Sequence, residues 1–409
     1  MGGEKISMAA SDGGSFGGYL SRPGAGRGPV VIVLQEIFGV NTHIRAVCDR
    51  YAEEGYVAFA PDIFWRVERG IELDYDDSGI QRGRELAGRC DLNLVVKDIA
   101  AAIQKLRTLE GASGQVAAVG FCFGGLLAYL TAARTDVDVA ICYYGGGIDR
   151  FASEARDIRC PIMLHWGAQD AGIPAPARET VRTALAGHDR AECYVYADAG
   201  HGFHCDRRPG FHRFSARLAH SRTLGLLHWT IGPRYDLSEL WERHVAEEFA
   251  THDVDATMRT MVPEPYVNHI PTLTGGVGYQ ELRYFYANHF IPRLPPDTKV
   301  VPLTRTIGPD RLIDEFVLCF THDREVDFMA PGIPATGRYV EVPHVAVVEF
   351  RGDKIAHEHI HWDHASLLKQ LGVLDSTRLP IAGIQGAKKL VDETLPANQL
   401  MPSWRRRAG

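Results

Sequence analysis

Hydrophobic positions in the first half of the chain come as short unbroken runs. Residues 30–35, 57–60, 116–121, 139–144, 162–166 and 193–197 are such runs. A strand that is apolar on both faces belongs inside a parallel sheet covered on both sides. Between the runs, residues 92–109 carry apolar side chains at 92, 95, 96, 99, 103 and 106, which is a helical stripe. Strand-like and helix-like segments in alternation predict a doubly wound, mostly parallel sheet with helices on both faces. A further helical pattern at 211–229 closes this half. The Gly- and Pro-bearing stretch 231–235 has no periodicity and reads as a linker.

Beyond the linker the grammar changes. Helical patterns at 237–250, 254–261 and 279–290 are followed by long strand patterns at 299–307, 311–322, 338–350 and 354–363. Tight turns at 308–310 and 351–353 join the last strands into hairpins. Helices followed by hairpin-linked strands predict an α+β cone, a curved antiparallel sheet wrapping helices. The predicted organisation is therefore 1–232 as an α/β domain, 236–378 as an α+β domain and 379–409 as an irregular C-terminal tail.

Composition narrows the partners. The chain has 409 residues, 45% of them hydrophobic, enough for two full cores. A formal net charge of -7 argues against a nucleic-acid surface, and Arg405, Arg406 and Arg407 read as a solvated basic tail. The N-terminus lacks an apolar signal-like region and no 18-residue apolar run occurs, so no membrane partner is expected. Eight cysteines at irregular spacing, none as C-x-x-C, indicate neither a disulfide framework nor a zinc ribbon, and fit a reducing cytoplasm.

The candidate chemistry centres on Gly-Phe-Cys-Phe-Gly-Gly at 120–125, between an apolar run and a helix-like segment. A strand turning sharply into a helix presents its nucleophile in a strained, exposed conformation, so small residues must flank it. Here that nucleophile is Cys122, and the helix N-terminus behind it favours negative charge and offers backbone N–H groups to an oxyanion. Asp170 and His201 follow, completing the order nucleophile, acid, histidine that an α/β-hydrolase expects. Glu36 directly follows the run 30–35, at the carboxyl end of a strand, where ligands of such sheets bind.

Six segments, VIVLQEIFGVN (31–41), APDIF (60–64), GFCFGG (120–125), YYGGGI (143–148), HWGAQDAGIP (165–174) and AGHGF (199–203), resemble the dienelactone hydrolase (carboxymethylenebutenolidase) family in sequence order. The resemblance implies a hydrolase of small lactones or esters. Cys122 attacks the carbonyl to form a thioester, and His201 shuttles the proton with its tautomer fixed by Asp170. It also implies that Glu36 holds or accepts the Cys122 proton, that the N–H groups of Ile37 and Phe123 form the oxyanion hole, and that Phe38 and Tyr144 line the pocket. No cofactor is implied. The family binds its substrate's carboxylate with two arginines, one of them four residues beyond the histidine. Cys205 stands there, leaving Arg207 or Arg208 as substitutes and Arg82 or Arg84 as matches for the second arginine.

The second half resembles the SnoaL-like polyketide cyclases, of the nuclear-transport-factor-2-like cone fold, through residues 264–276, 344–363 and 365–375. His357, His359 and His361 alternate on one strand and so share a face. No carboxylate or thiolate completes a metal set there, Glu358 pointing the other way, and no metal is expected. A polar pocket of Asn268, His269, His359, His361 and Asp363 is the candidate second site, with Asp363 as acid–base group by resemblance. Three roles follow for this half: an accessory substrate-binding or dimerising domain serving a cysteine hydrolase, a second isomerase or cyclase centre, or a purely structural means of forming a homo-oligomer.

Overall fold

The computed structural model describes residues 2–401, 403 and 404. Arg405, Arg406 and Arg407 lie outside the described residues. The chain forms two compact units, 1–234 and 235–409.

In the first unit the strands are β1 (Glu4–Ala9), β2 (Ser15–Ser21), β3 (Gly28–Leu34), β4 (Val57–Pro61), β5 (Ala112–Phe121), β6 (Val139–Tyr143), β7 (Ile162–Gly167) and β8 (Ala191–Tyr196). They make one sheet in the order β1-β2-β4-β3-β5-β6-β7-β8. From β4 to β8 all pairings are parallel, whereas β1–β2 and β2–β4 at the edge are antiparallel. The helices are α1 (Thr42–Glu53), α2 (Asp77–Arg89), α3 (Leu92–Arg107), α4 (Phe123–Arg134), α5 (Ala175–Leu185) and α6 (Arg213–Thr230). Every residue of β3, β4, β6 and β7 is buried, as unbroken apolar runs require. The stripe of α3 is buried at Val95, Val96, Ile99, Ile103 and Leu106. The α/β-hydrolase architecture and its six parallel strands follow the pattern read from the sequence. The β1–β2 edge did not, because its glycines interrupt the alternation.

In the second unit α7 (Leu237–Ala246) runs into a π-helical turn, Glu247–Thr251, followed by α8 (Val254–Arg259). Then come β9 (Met261–His269), β10 (Thr274–Val277), α9 (Tyr279–Phe285) with a second π-helical turn, Tyr286–Phe290, and the strands β11 (Lys299–Ile307), β12 (Arg311–Thr321), β13 (Tyr339–Arg351) and β14 (Lys354–Trp362). The sheet order is β10-β9-β14-β13-β12-β11, with β9 parallel to β14 and every other pairing antiparallel. This is the expected cone. Its inner face is built by alternation: Val340, Val342, His344, Ala346, Val348 and Phe350 are buried along β13, and their neighbours are half-buried. After α10 (His364–Leu371) the segment expected to be an irregular tail forms α11 (Ile384–Val391). Ala387 of α11 is fully buried with Val317 and Cys319 of β12, against which Val301 and Leu303 also pack. Among the described residues no helix is long and apolar enough to cross a membrane.

Candidate active site

The strand-to-helix turn that places Cys122 is strained in the way the sequence pattern requires. Cys122 has φ 53° and ψ -111° and precedes α4, a conformation that costs a non-glycine residue about 1–3 kcal/mol. Its N–H donates to the Tyr143 carbonyl at 3.0 Å, tying the turn to the end of β6. A Cβ on Gly120 would stand 1.8 Å from the Gly124 carbonyl oxygen, and one on Gly124 would stand 2.1 Å from that of Leu34. Glycine is thus required on both sides of the thiol.

Three loops at the carboxyl ends of β5, β7 and β8 bring Cys122, Asp170 and His201 together. His201 Nε2 lies 3.1 Å from Cys122 Sγ, and His201 Nδ1 lies 2.7 Å from Asp170 Oδ2. Asp170 is buried, and its other oxygen accepts from the Gly172 N–H at 2.8 Å, so the carboxylate is fixed from both sides. Burial opposes a charged His201, but the hydrogen bonds to Asp170 and Cys122 outweigh it and lift the imidazolium to about 10. A carboxylate, an imidazole and a thiol in line can hold the histidine in one tautomer and move a proton to or from sulfur.

Glu36 is fully buried at the end of β3. Its Oε1 accepts from Arg208 Nη1 at 3.3 Å, while Oε2 is buried with no hydrogen-bond partner. The guanidinium of Arg208 lies over Phe38 and Tyr75, 5.6 and 5.9 Å from the ring centroids. Tyr144 has φ 36°, is fully buried, and packs edge-on against His201 at 5.3 Å. Its hydroxyl also has no hydrogen-bond partner. Burial, followed by the nearby Glu36, Cys205 and Cys122, raises that phenol well above its ordinary range, so it stays protonated. Two buried polar groups, an acceptor and a donor, are therefore without a protein hydrogen bond.

The four candidate arginines separate. Arg208 reaches the site, whereas Arg207 is exposed. Arg82 is taken up by Glu68 and Glu85 on the surface of α2, and Arg84 is exposed on the same helix. Cys205, at the position where a family arginine was expected, is buried near Tyr75 and Glu36, and burial lifts its thiol to about 12. Phe123 opens α4, so its N–H has no intrahelical acceptor. Ile37 follows Glu36, with Gly83 of α2 packed so closely on its carbonyl that a Cβ there would stand 2.4 Å away. Tyr75, tilted against Phe38 with ring centroids 4.4 Å apart, was not singled out from the sequence. It lies in a polar stretch with no motif of its own.

In the cone, the candidate pocket needs correction. A cavity of about 420 Å³ is lined by Trp241, Glu248, His269, Tyr286, His344, Glu358 and Trp362 among others. Of the five residues expected there, only His269 lines it. Asn268 pairs in register with His359, and both side chains are on the outer face of the sheet, with His361 exposed beside them. Asp363 accepts from the Ser366 N–H at 3.0 Å and caps α10. The period-two reading of β14 was sound, but the histidine face is the outer one. Glu358, Ile360 and Trp362 turn inward, to the face where Trp241 of α7 and Glu248 and Phe249 of its π-helical turn line the same cavity. Burial lowers His269 to about 3 and His344 to about 4, so both are neutral. Missed from the sequence were His244, Glu248 and Tyr286. The H-x-x-x-E spacing at 244–248, inside a helical pattern, was the available signal.

The dienelactone hydrolase family model matches residues 16–230, and the SnoaL-like domain model matches residues 241–358. A carboxymethylenebutenolidase of Pseudomonas sp. (strain P51) is 38% identical over 226 residues, covering 55% of this chain and 94% of the relative. Another, from Pseudomonas putida, is 35% identical over 228 residues, covering 55% and 95%. A solved chain from Klebsiella pneumoniae, provisionally described as a dienelactone hydrolase, is 33% identical and covers 55% of this chain and 98% of that one, with a TM-score of 0.48.

Proposed function

Because the chain belongs to the dienelactone hydrolase family and is a carboxylic ester hydrolase of that type, we propose that it opens a small lactone or ester through a thioester on Cys122. The observation that carries this reading is the continuous line from Asp170 through His201 to Cys122, with contacts of 2.7 and 3.1 Å. Sulfur attacks the carbonyl carbon, and the N–H groups of Phe123 and Ile37 receive the developing oxyanion. His201, charged beside the sulfur, passes its proton to the leaving alkoxide. It then takes a proton from the water that cleaves the thioester. Glu36, with one oxygen free, takes up or orients the thiol proton, and the Tyr144 hydroxyl donates to the substrate.

The substrate in this reading is less acidic than a dienelactone. Arg208 is the one candidate arginine that reaches the site, and Glu36 already shares its charge. The cone acts as an accessory unit. Its cavity of about 420 Å³ favours small-molecule binding over a structural role alone. Leu273, Val277 and Tyr284, exposed around β10 and α9, supply apolar surface for contact between copies of the chain. All eight cysteines are free, which suits work in the cytoplasm.

Replacing Cys122 by Ala is the test. Turnover of a panel of lactones and aryl esters should vanish in that variant and persist when Cys48, Cys90, Cys142 or Cys160 is changed to Ala. Turnover in Cys122→Ala would overturn the mechanism.

A further inference from the structure

The cone unit contains a second cluster of chemical groups that the hydrolase does not use. His244 on α7 and Glu248 in the following π-helical turn are four residues apart, and Glu358 reaches them from the inner face of β14. All three are buried, at 0, 4 and 3% exposure. His244 Nε2 lies 3.1 Å from Glu248 Oε1 and 3.2 Å from Glu358 Oε1. Neither oxygen lies in line with the ring N–H, so His244 Nε2 and Glu358 Oε1 are left without a hydrogen bond although they are neighbours.

The other ring nitrogen fixes the tautomer. The Thr260 hydroxyl donates its single proton to the Thr257 carbonyl at 2.6 Å. It can therefore only accept from His244 Nδ1, which lies 2.6 Å away. Nδ1 carries a proton, and Nε2 is the atom presented to the two carboxylates. A hydrogen-bonded partner on the far nitrogen of a histidine is the usual outer support of a metal ligand.

We propose that His244, Glu248 and Glu358 hold a divalent first-row transition-metal ion that faces the cone cavity. Donor atoms each ~2.1 Å from such an ion, at tetrahedral or octahedral angles, stand ~3.0–3.4 Å apart, and the two nitrogen–oxygen separations fall in that range. The off-axis placement of both oxygens is what a shared ion produces and what a hydrogen bond avoids. Charge favours the same assignment. A neutral imidazole and two carboxylates would balance one buried dication. One nitrogen and two carboxylate oxygens suit zinc, manganese or iron. Three protein ligands leave coordination positions directed at the cavity, whose walls include Phe249, Phe290, Phe316 and Phe328. The ligand class that fits is a small apolar molecule with a carbonyl or enol oxygen, which the ion would bind and polarise.

The full-length chain, stripped with a chelator and dialysed, is titrated with Mn²⁺ by calorimetry and with Co²⁺ by absorption. One equivalent per chain is expected, with Co²⁺ bands that lack thiolate charge transfer and so exclude Cys122 as the ligand. Glu358→Gln and Glu248→Gln should each weaken binding about 30-fold or more, leaving ester hydrolysis unchanged. Absence of one-equivalent binding, or unchanged affinity in either variant that folds, overturns the proposal. Should both variants fail to fold, the melting curve of the unaltered chain decides. A rise in melting temperature with Mn²⁺ supports the site, and no shift contradicts it.

Discussion

His201 and Cys122 stand 3.1 Å apart although 79 residues separate them, and the contact joins the loop after β8 to the end of β5. The thiol side is held by a strained turn and the imidazole side by a buried carboxylate. Each half of the pair is therefore fixed before a substrate arrives, which removes an ordering cost from the reaction.

The pH dependence follows from that pair. His201 is lifted from 6.5 to about 10 in the folded chain, so the stability it contributes is complete below 6.5 and is lost as pH rises through about 10. In the proposed mechanism the proton that His201 gives the leaving group is lost over the same range. The kcat/KM profile should fall on an alkaline limb near 10. Asp170→Asn removes the hydrogen bond that does most to raise the histidine, so the limb should move to lower pH and the rate should drop by about 10²–10⁴-fold. An unmoved limb would assign it to another group.

Glu36 and Arg208 should be coupled. Arg208→Met removes the partner of a fully buried carboxylate and should cost about 3–5 kcal/mol of stability. Glu36→Gln in the same chain should recover much of that loss, which denaturant melts of the four proteins in the cycle will measure. Glu36→Gln alone should leave the fold intact and slow the acylation burst. Arg207→Met, at an exposed position, should leave both measurements within about 0.5 kcal/mol of the parent.

The same substitution should have opposite effects at a glycine of the elbow and at a glycine of α2. Gly124→Ala drives a Cβ into the backbone oxygen of Leu34 and should destabilise by about 2–3 kcal/mol while lowering activity. Gly88→Ala, in α2 with nothing within 4 Å, should stabilise by about 0.5–1 kcal/mol without altering activity. Thermal melts beside initial rates test both.

What was legible in the sequence depended on how local the signal is. Parallel strands such as β3 and β4 announce themselves because burial on both faces leaves no polar position. Cys122 was legible because Gly120 and Gly124 must flank it two positions away, and Asp170 and His201 because the fold fixes their order. Which arginine reaches the pocket was not, since Arg207 and Arg208 are adjacent and only the turn that follows His201 decides between them. In the cone, alternation along β14 identified two faces, but which one turns inward depends on the side to which α7 packs, a long-range property. That choice removed Asn268, His359, His361 and Asp363 from the pocket and brought in Glu358. Helix α11 was hidden because a single small residue, Ala387, carries most of its burial.

The most direct test of the central claim is the mass of the acylated enzyme. A lactone or slow aryl ester mixed with the chain, quenched in acid within the first turnover and digested for peptide mapping, should show the acyl group on the peptide containing Cys122, labile to hydroxylamine as a thioester is. The adduct should be missing from Cys122→Ala. An acyl group on any other residue, or a full burst of product with Cys122 unmodified, would contradict the account.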